Sequence, residues 1–128
     1  MTRIGFIGYS TTRFNEDKAK EIIDGIFESF YGDEVIISGA TNFGIPKLVY
    51  EKANECGMYT IGVMCNAGFG MQLARLNDLI VEGQDWGDES EKFLSMLDVL
   101  YKIGGGNQSI TEFEKAKELG IEVHEYEL

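Results

Sequence analysis

DVLYKIGGGNQSITEFEKA, residues 98–116, decides the fold. It opens with a short apolar run, breaks at Gly104-Gly105-Gly106, and resumes with apolar residues at helical spacing. A strand that passes through a glycine turn into a helix is half of a parallel β–α unit. In such a unit the turn and the helix N-terminus lie at the carboxyl edge of the sheet.

The same alternation extends to both ends of the chain. Arg3–Gly8 reads as a first strand, and Asn15–Tyr31 as a helix with Asn15 as candidate N-cap. Glu34–Ser38 is a second buried strand. Gly44–Cys56 is a second helix, with Pro46 suited to its first turn and Gly57 to its C-terminal cap. Tyr59–Cys65 is a third strand. Residues 66–77 are ambiguous between loop and short helix, and Asp78–Val81 is a short strand. Asp88–Leu97 reads as a helix opened by a capping box of Asp88 and Glu91. Asp98–Ile103 is the next strand, Ser109–Leu119 the last helix, stopped by Gly120, and Ile121–Tyr126 the final strand. The expectation is one α/β domain over residues 1–128. It is a three-layer Rossmann-like fold, with a mostly parallel sheet of five to six strands and helices on both faces.

Composition sets the bounds on function. The 128 residues are 44% hydrophobic and 12% aromatic, as in a packed globular chain. A domain of this size buries roughly two-thirds of its unfolded surface, so it needs no disulfides. Cys56 and Cys65 lack the spacing of a redox pair and read as reduced core thiols. No stretch approaches the ~18 apolar residues of a membrane helix, and the N-terminus lacks a signal peptide's features. A cytoplasmic protein is expected, with no membrane partner. A net charge of −11 opposes nucleic acid, whose phosphates it would repel. A small anion is different, because backbone N–H groups and helix N-termini can hold it without net positive charge.

The informative residues are therefore those that follow the strands. They are Gly8, Tyr9, Ser10, Thr11 and Arg13 after the first, and Gly39, Ala40, Thr41, Asn42 and Gly44 after the second. Gly104, Gly105, Gly106, Asn107, Gln108 and Ser109 follow the fifth. Glycine admits close approach of an anion, and hydroxyl and amide groups add donors. Neither G-x-G-x-x-G nor the Walker P-loop pattern is present. Trp86, in a polar loop, is placed to stack on a base or to pack. Arg13 and Lys47 are the nearest cations, and His124 reads as structural or solvent-facing. No residue set has metal-ligand spacing. Glu112 has two readings. It closes an S-x-x-E capping box with Ser109, or it is a catalytic carboxylate beside a ribose.

The order IGFIGYS (4–10), VIISGATNFGIPKLVYEKANECG (35–57), YTIGVM (59–64) and residues 98–116 resembles the LOG-like (SLOG) Rossmann superfamily. That group includes proteins called lysine-decarboxylase-like and the cytokinin-activating phosphoribohydrolases. Gly39 and Gly44 match the outer glycines of its second loop. Gly104–Glu112 matches its P-G-G-x-G-T-x-x-E signature, with Gly104 in place of proline and Gln108 in place of glycine. The resemblance implies a bound nucleotide or sugar phosphate, and in the hydrolases a catalytic role at Glu112 with an arginine. Here the arginine's place falls at Glu89, and Asp85, Asp88 and Glu89 are alternative second carboxylates.

The leading expectation is thus a nucleotide-binding sensor or sequestering module, or a diverged nucleoside-monophosphate N-glycosidase. A flavodoxin-like electron carrier and a ligand-free scaffold are the rivals. Phe27, Phe30, Leu48 and Tyr50 offer more bulky apolar positions than one small core requires, which suggests a homodimer.

Overall fold

The computed structural model describes residues 2–10 and 13–128, so Thr11 and Thr12 lie outside the described residues. The elements run β1 (Arg3–Gly8), α1 (Glu16–Glu28), β2 (Val35–Gly39), α2 (Gly44–Glu55), β3 (Tyr59–Met64), a 3₁₀ turn (Asn66–Gly70), β4 (Asp78–Val81), α3 (Ser90–Ser95), β5 (Val99–Ile103), α4 (Asn107–Glu118) and β6 (Glu122–Tyr126). All six strands pair in parallel, in the order β4-β3-β2-β1-β5-β6. This is the expected three-layer Rossmann-like α/β architecture, and the order is not the 2-1-3-4-5 order of a flavodoxin.

Residue alternation on the strands divides the core in two. Ile4, Phe6 and Ile36 face α1 and α2, where they meet Ile23, Phe27 and Val49. Ile7, Ile37 and Leu100 face α3 and α4, where they meet Phe93, Leu94 and Phe113. Phe6 stacks between Phe27 (5.7 Å) and Tyr101 (5.3 Å).

The four residues that suggested a homodimer belong to the chain's own interior. Phe27, Leu48 and Tyr50 are buried, and Phe30 packs against the same cluster. Tyr50 is enclosed because its hydroxyl donates to the Ile61 carbonyl at 2.9 Å. Burial holds its pKa far above the usual phenol range. Cys65 is buried as expected; Cys56 is exposed, because it follows α2 at its solvent-facing end.

Local chemistry explains where element boundaries moved. The Asn15 side chain accepts from Lys18 N at 3.0 Å and caps α1 as expected. That helix ends three residues early, since Glu34 takes the backbone N–H groups of Tyr31 and Gly32, each at 2.8 Å. Glu34 thus closes the turn, and β2 starts at Val35. Asp88 opens no capping box. Its carboxylate accepts from Gln84 N and Asp85 N at 3.0 Å each, which fixes the loop and delays α3 to Ser90.

Candidate functional site

β1 and β5 are neighbours, yet the chain leaves them in opposite directions, by α1 toward β2 and by α4 toward β6. Their outgoing loops part at the carboxyl edge and leave a crevice, the usual ligand position in open α/β sheets. Here the crevice holds a cavity of about 140 Å³. Two larger hollows lie elsewhere, one of about 340 Å³ beside Tyr59 at the opposite edge of the sheet and one of about 320 Å³ between α1 and α2.

Residues from all three expected loops line the cavity: Gly8 and Ser10; Gly39, Ala40 and Thr41; Gln108 and Ser109. Glu112 and Trp86 line it too, with Trp86 half-exposed. Ser109 Oγ donates to the Gly8 carbonyl at 3.3 Å and so joins the first and third loops. Tyr9, Arg13, Asn42, Gly44, Gly104, Gly105, Gly106 and Asn107 are not in the lining. Tyr9 packs on Phe14, with ring centroids 6.0 Å apart. Arg13 is exposed. Asn42 N donates to the Gln72 carbonyl at 2.8 Å. His124 stacks on Tyr101 at the edge strand β6, its Nε2 2.8 Å from Glu122.

Gly44 has a packing reason. Its φ is +58°, and a Cβ there would come within 2.2 Å of the Tyr9 carbonyl oxygen. The first loop therefore lies directly on the start of α2, where Ile45 N donates to that same oxygen at 2.8 Å.

Besides the six-residue α3, two helices begin at this edge without a side-chain acceptor. The N-cap of α2 is Phe43 and that of α4 is Gly106, and neither supplies one. The first-turn N–H groups have no acceptor within their own helix, so both ends carry positive dipole; at α2 the Tyr9 carbonyl already takes Ile45 N, which leaves α4 as the more open donor end.

The N-cap at Gly106 also corrects the expected capping box. Ser109 lies inside the first turn of α4, so Glu112 is not a capping residue. Glu112 Oε2 accepts instead from Ser90 Oγ at 2.7 Å, across from α3. Glu112 is buried, and burial raises its pKa; hydrogen bonds from Ser90 and Gln108 oppose the rise, and the nearby Glu89 adds to it.

Glu89, at the place where the resemblance expects an arginine, also lines the cavity and is 5% exposed. Its Oε1 accepts from Gly87 N at 2.7 Å and from Gln108 Nε2 at 3.4 Å. Its Oε2 is buried and has no hydrogen-bond partner among the described residues. Of the three alternative second carboxylates, Glu89 alone lines the cavity, while Asp85 and Asp88 are exposed. Among the described residues the lining contains two carboxylates and no lysine or arginine.

Sequence reasoning missed Ser38, Pro46 and Phe93 in the lining. Ser38 carried a signal, as a polar residue in a buried strand; its Oγ donates to the Phe6 carbonyl at 2.7 Å. The strap after the 3₁₀ turn gave none. It runs antiparallel to the second loop, with Ala74 N donating to the Ala40 carbonyl at 2.8 Å and a bridge from Leu73 to Thr41.

No protein-family model matches the chain, and no curated protein matches it. Solved structures do. The molybdenum cofactor binding protein from the phototrophic bacterium Rippkaea orientalis superposes with a TM-score of 0.83 at 19% identity, covering 99% of this chain and 77% of that one. The Moco carrier protein from Chlamydomonas reinhardtii gives 0.81 at 21% identity, with the same coverage. The TM1055 protein gives 0.77 at 22% identity, covering 96% of this chain and 72% of that one. At these identities the likeness shows the fold.

Proposed function

We propose that this chain binds a nucleotide or a related phosphorylated small molecule at the carboxyl edge between β1 and β5, as a carrier, sensor or sequestering module. The observation that carries the reading is the meeting of the three glycine-rich loops at one cavity, beside the uncapped start of α4. These are the loops on which the resemblance to the LOG-like superfamily rests. Proteins of the same fold include carriers and binders of the molybdenum cofactor, so that cofactor belongs among the ligands to be tried.

The division of labour within the site follows from size and charge. Drug-sized ligands occupy pockets of roughly 300–1,000 Å³, and a cavity of about 150 Å³ holds a benzene-sized ring. This cavity therefore seats one ring system and leaves the rest of the ligand outside. Two carboxylates in the lining disfavour an anion there. The phosphate belongs at the mouth, on the backbone of residues 105–109.

The test is a thermal-shift screen across nucleoside mono-, di- and triphosphates, sugar phosphates and the molybdenum cofactor. A binder at ~100 times its dissociation constant adds about 2.7 kcal/mol. No shift with any of them contradicts the reading.

A second reading, a diverged N-glycoside hydrolase, is favoured by one observation. Glu112 is freed from helix capping and sits in the cavity next to another acid. Such an acid would stabilise a cationic sugar or move a proton to the leaving base. Release of free base from nucleoside monophosphates, lost in Glu112→Gln, tests it.

A further inference from the structure

Glu89 Oε2 is a buried acceptor with no hydrogen-bond partner among the described residues. The residue is buried, lines the cavity, and binds Gly87 N and Gln108 through its other oxygen. A carboxylate oxygen without a partner is costly to bury, and buried polar atoms in folded proteins are nearly always paired. An ionised carboxylate only accepts, so whatever satisfies it must bring an N–H or O–H. Among the described residues no lysine or arginine lines the cavity to do so from within.

The rest of the lining says what kind of donor fits. Phe93, Val63 and Pro46 give apolar walls, and Trp86 stands at the edge with half its surface exposed. Apolar walls with an aromatic suit a flat ring. The volume admits one ring system, and the charge excludes the phosphate from the interior. What remains is a planar heterocycle entering edge first, with N–H donors on that edge.

We propose that the cavity takes the 2-amino-4-oxopyrimidine edge of a guanine-type ring, whose ring N–H and exocyclic amino group donate to Glu89. The proposal rests on the phosphorylated-ligand reading above and names the base. Hypoxanthine keeps the ring N–H but lacks the amino group. Adenine turns a ring-nitrogen lone pair toward the carboxylate, which repels it. Glu112, whose pKa burial raises, lessens the repulsion that two neighbouring carboxylates would otherwise have.

Isothermal titration of the full chain with GMP, IMP and AMP tests this. GMP should bind about tenfold more tightly than IMP, the size of effect expected for one charge-assisted hydrogen bond, and AMP should be weaker still. Glu89→Gln keeps an amide oxygen for Gly87 N but sets an amide N–H₂ against the ring. GMP affinity should then fall by about tenfold or more, and its advantage over IMP should vanish. If that variant does not fold, the ranking in the wild type decides. Equal affinity for the three nucleotides, an unchanged GMP preference in Glu89→Gln, or no GMP binding overturns the proposal. Equal affinities would leave phosphate binding standing, whereas failure of every phosphorylated probe removes both readings.

Discussion

Ser90 Oγ donates a 2.7 Å hydrogen bond to Glu112 Oε2 and so ties the first residue of α3 to the middle of α4. The bond holds a buried carboxyl group at the wall of the cavity rather than at a helix end. Ser90→Ala removes the donor and leaves the acceptor buried. The expected loss is about 1–3 kcal/mol, read from urea unfolding. In a double-mutant cycle with Glu112→Ala, which removes the acceptor, the two effects should fail to add. Additivity would mean that the bond contributes nothing.

Glu112→Gln should raise the melting temperature at pH 7. Its folded pKa lies above the ordinary carboxylate value, mainly through burial. The protonated form is thus the one the fold prefers. The stability tied to that proton is complete below the unfolded pKa and is lost as pH rises through the folded one. The variant's advantage should shrink as pH falls toward the ordinary carboxylate range. A variant less stable than wild type at pH 7 would show that the carboxylate itself stabilises the fold.

Glu34 behaves oppositely. Burial raises its pKa, but hydrogen bonds from the Tyr31 and Gly32 backbone outweigh this and lower it overall. A lowered folded pKa stabilises above the unfolded value, and that contribution is lost as pH falls through the folded one. Glu34→Gln should therefore lower the melting temperature at pH 7, and the gap to wild type should close in acid. A gap that persists below both pKa values would assign the loss to packing.

Gly105 and Gly106 separate folding from binding. Gly105 has φ +122°, and a Cβ there would lie 2.6 Å from Ser109 Cβ. Gly105→Val should therefore destabilise the chain. Gly106 has an ordinary φ of −93°, and nothing lies within 4 Å of a Cβ placed on it. Gly106→Val should keep the melting temperature within about 1 kcal/mol equivalent, the range of helix-cap exchanges, yet weaken phosphate binding by crowding the helix start. Unchanged binding by this folded variant would move the phosphate elsewhere.

The fold was legible because β1 to β5 are short, mainly apolar runs bounded by turn residues, while β6, EVHEY, is a polar edge strand set off by Gly120. The carboxyl-edge loops followed from that order alone. Glu89 and Glu112 were harder to read. The S-x-x-E pattern at Ser109–Glu112 describes a cap, but α4 starts two residues earlier, at Asn107, because Gly106 adopts the extended N-cap conformation. Local sequence cannot show that Ser90, 22 residues back, supplies Glu112's partner. Nor could composition show that Phe27, Leu48 and Tyr50 are all buried within the chain, since that depends on how α1 and α2 pack on the sheet.

The most direct test of the central claim is to map where a phosphorylated ligand sits. The ¹⁵N-labelled chain would be titrated with GMP, and with ribose 5-phosphate as a probe of the phosphate alone. We predict that the Gly105, Gly106, Asn107 and Gln108 amides shift with both probes, and that the Trp86 indole shifts with GMP only. Shifts confined to the hollow around Asn54, Arg75 and Asn77 at the opposite edge of the sheet, or no shifts with either probe, would contradict the account.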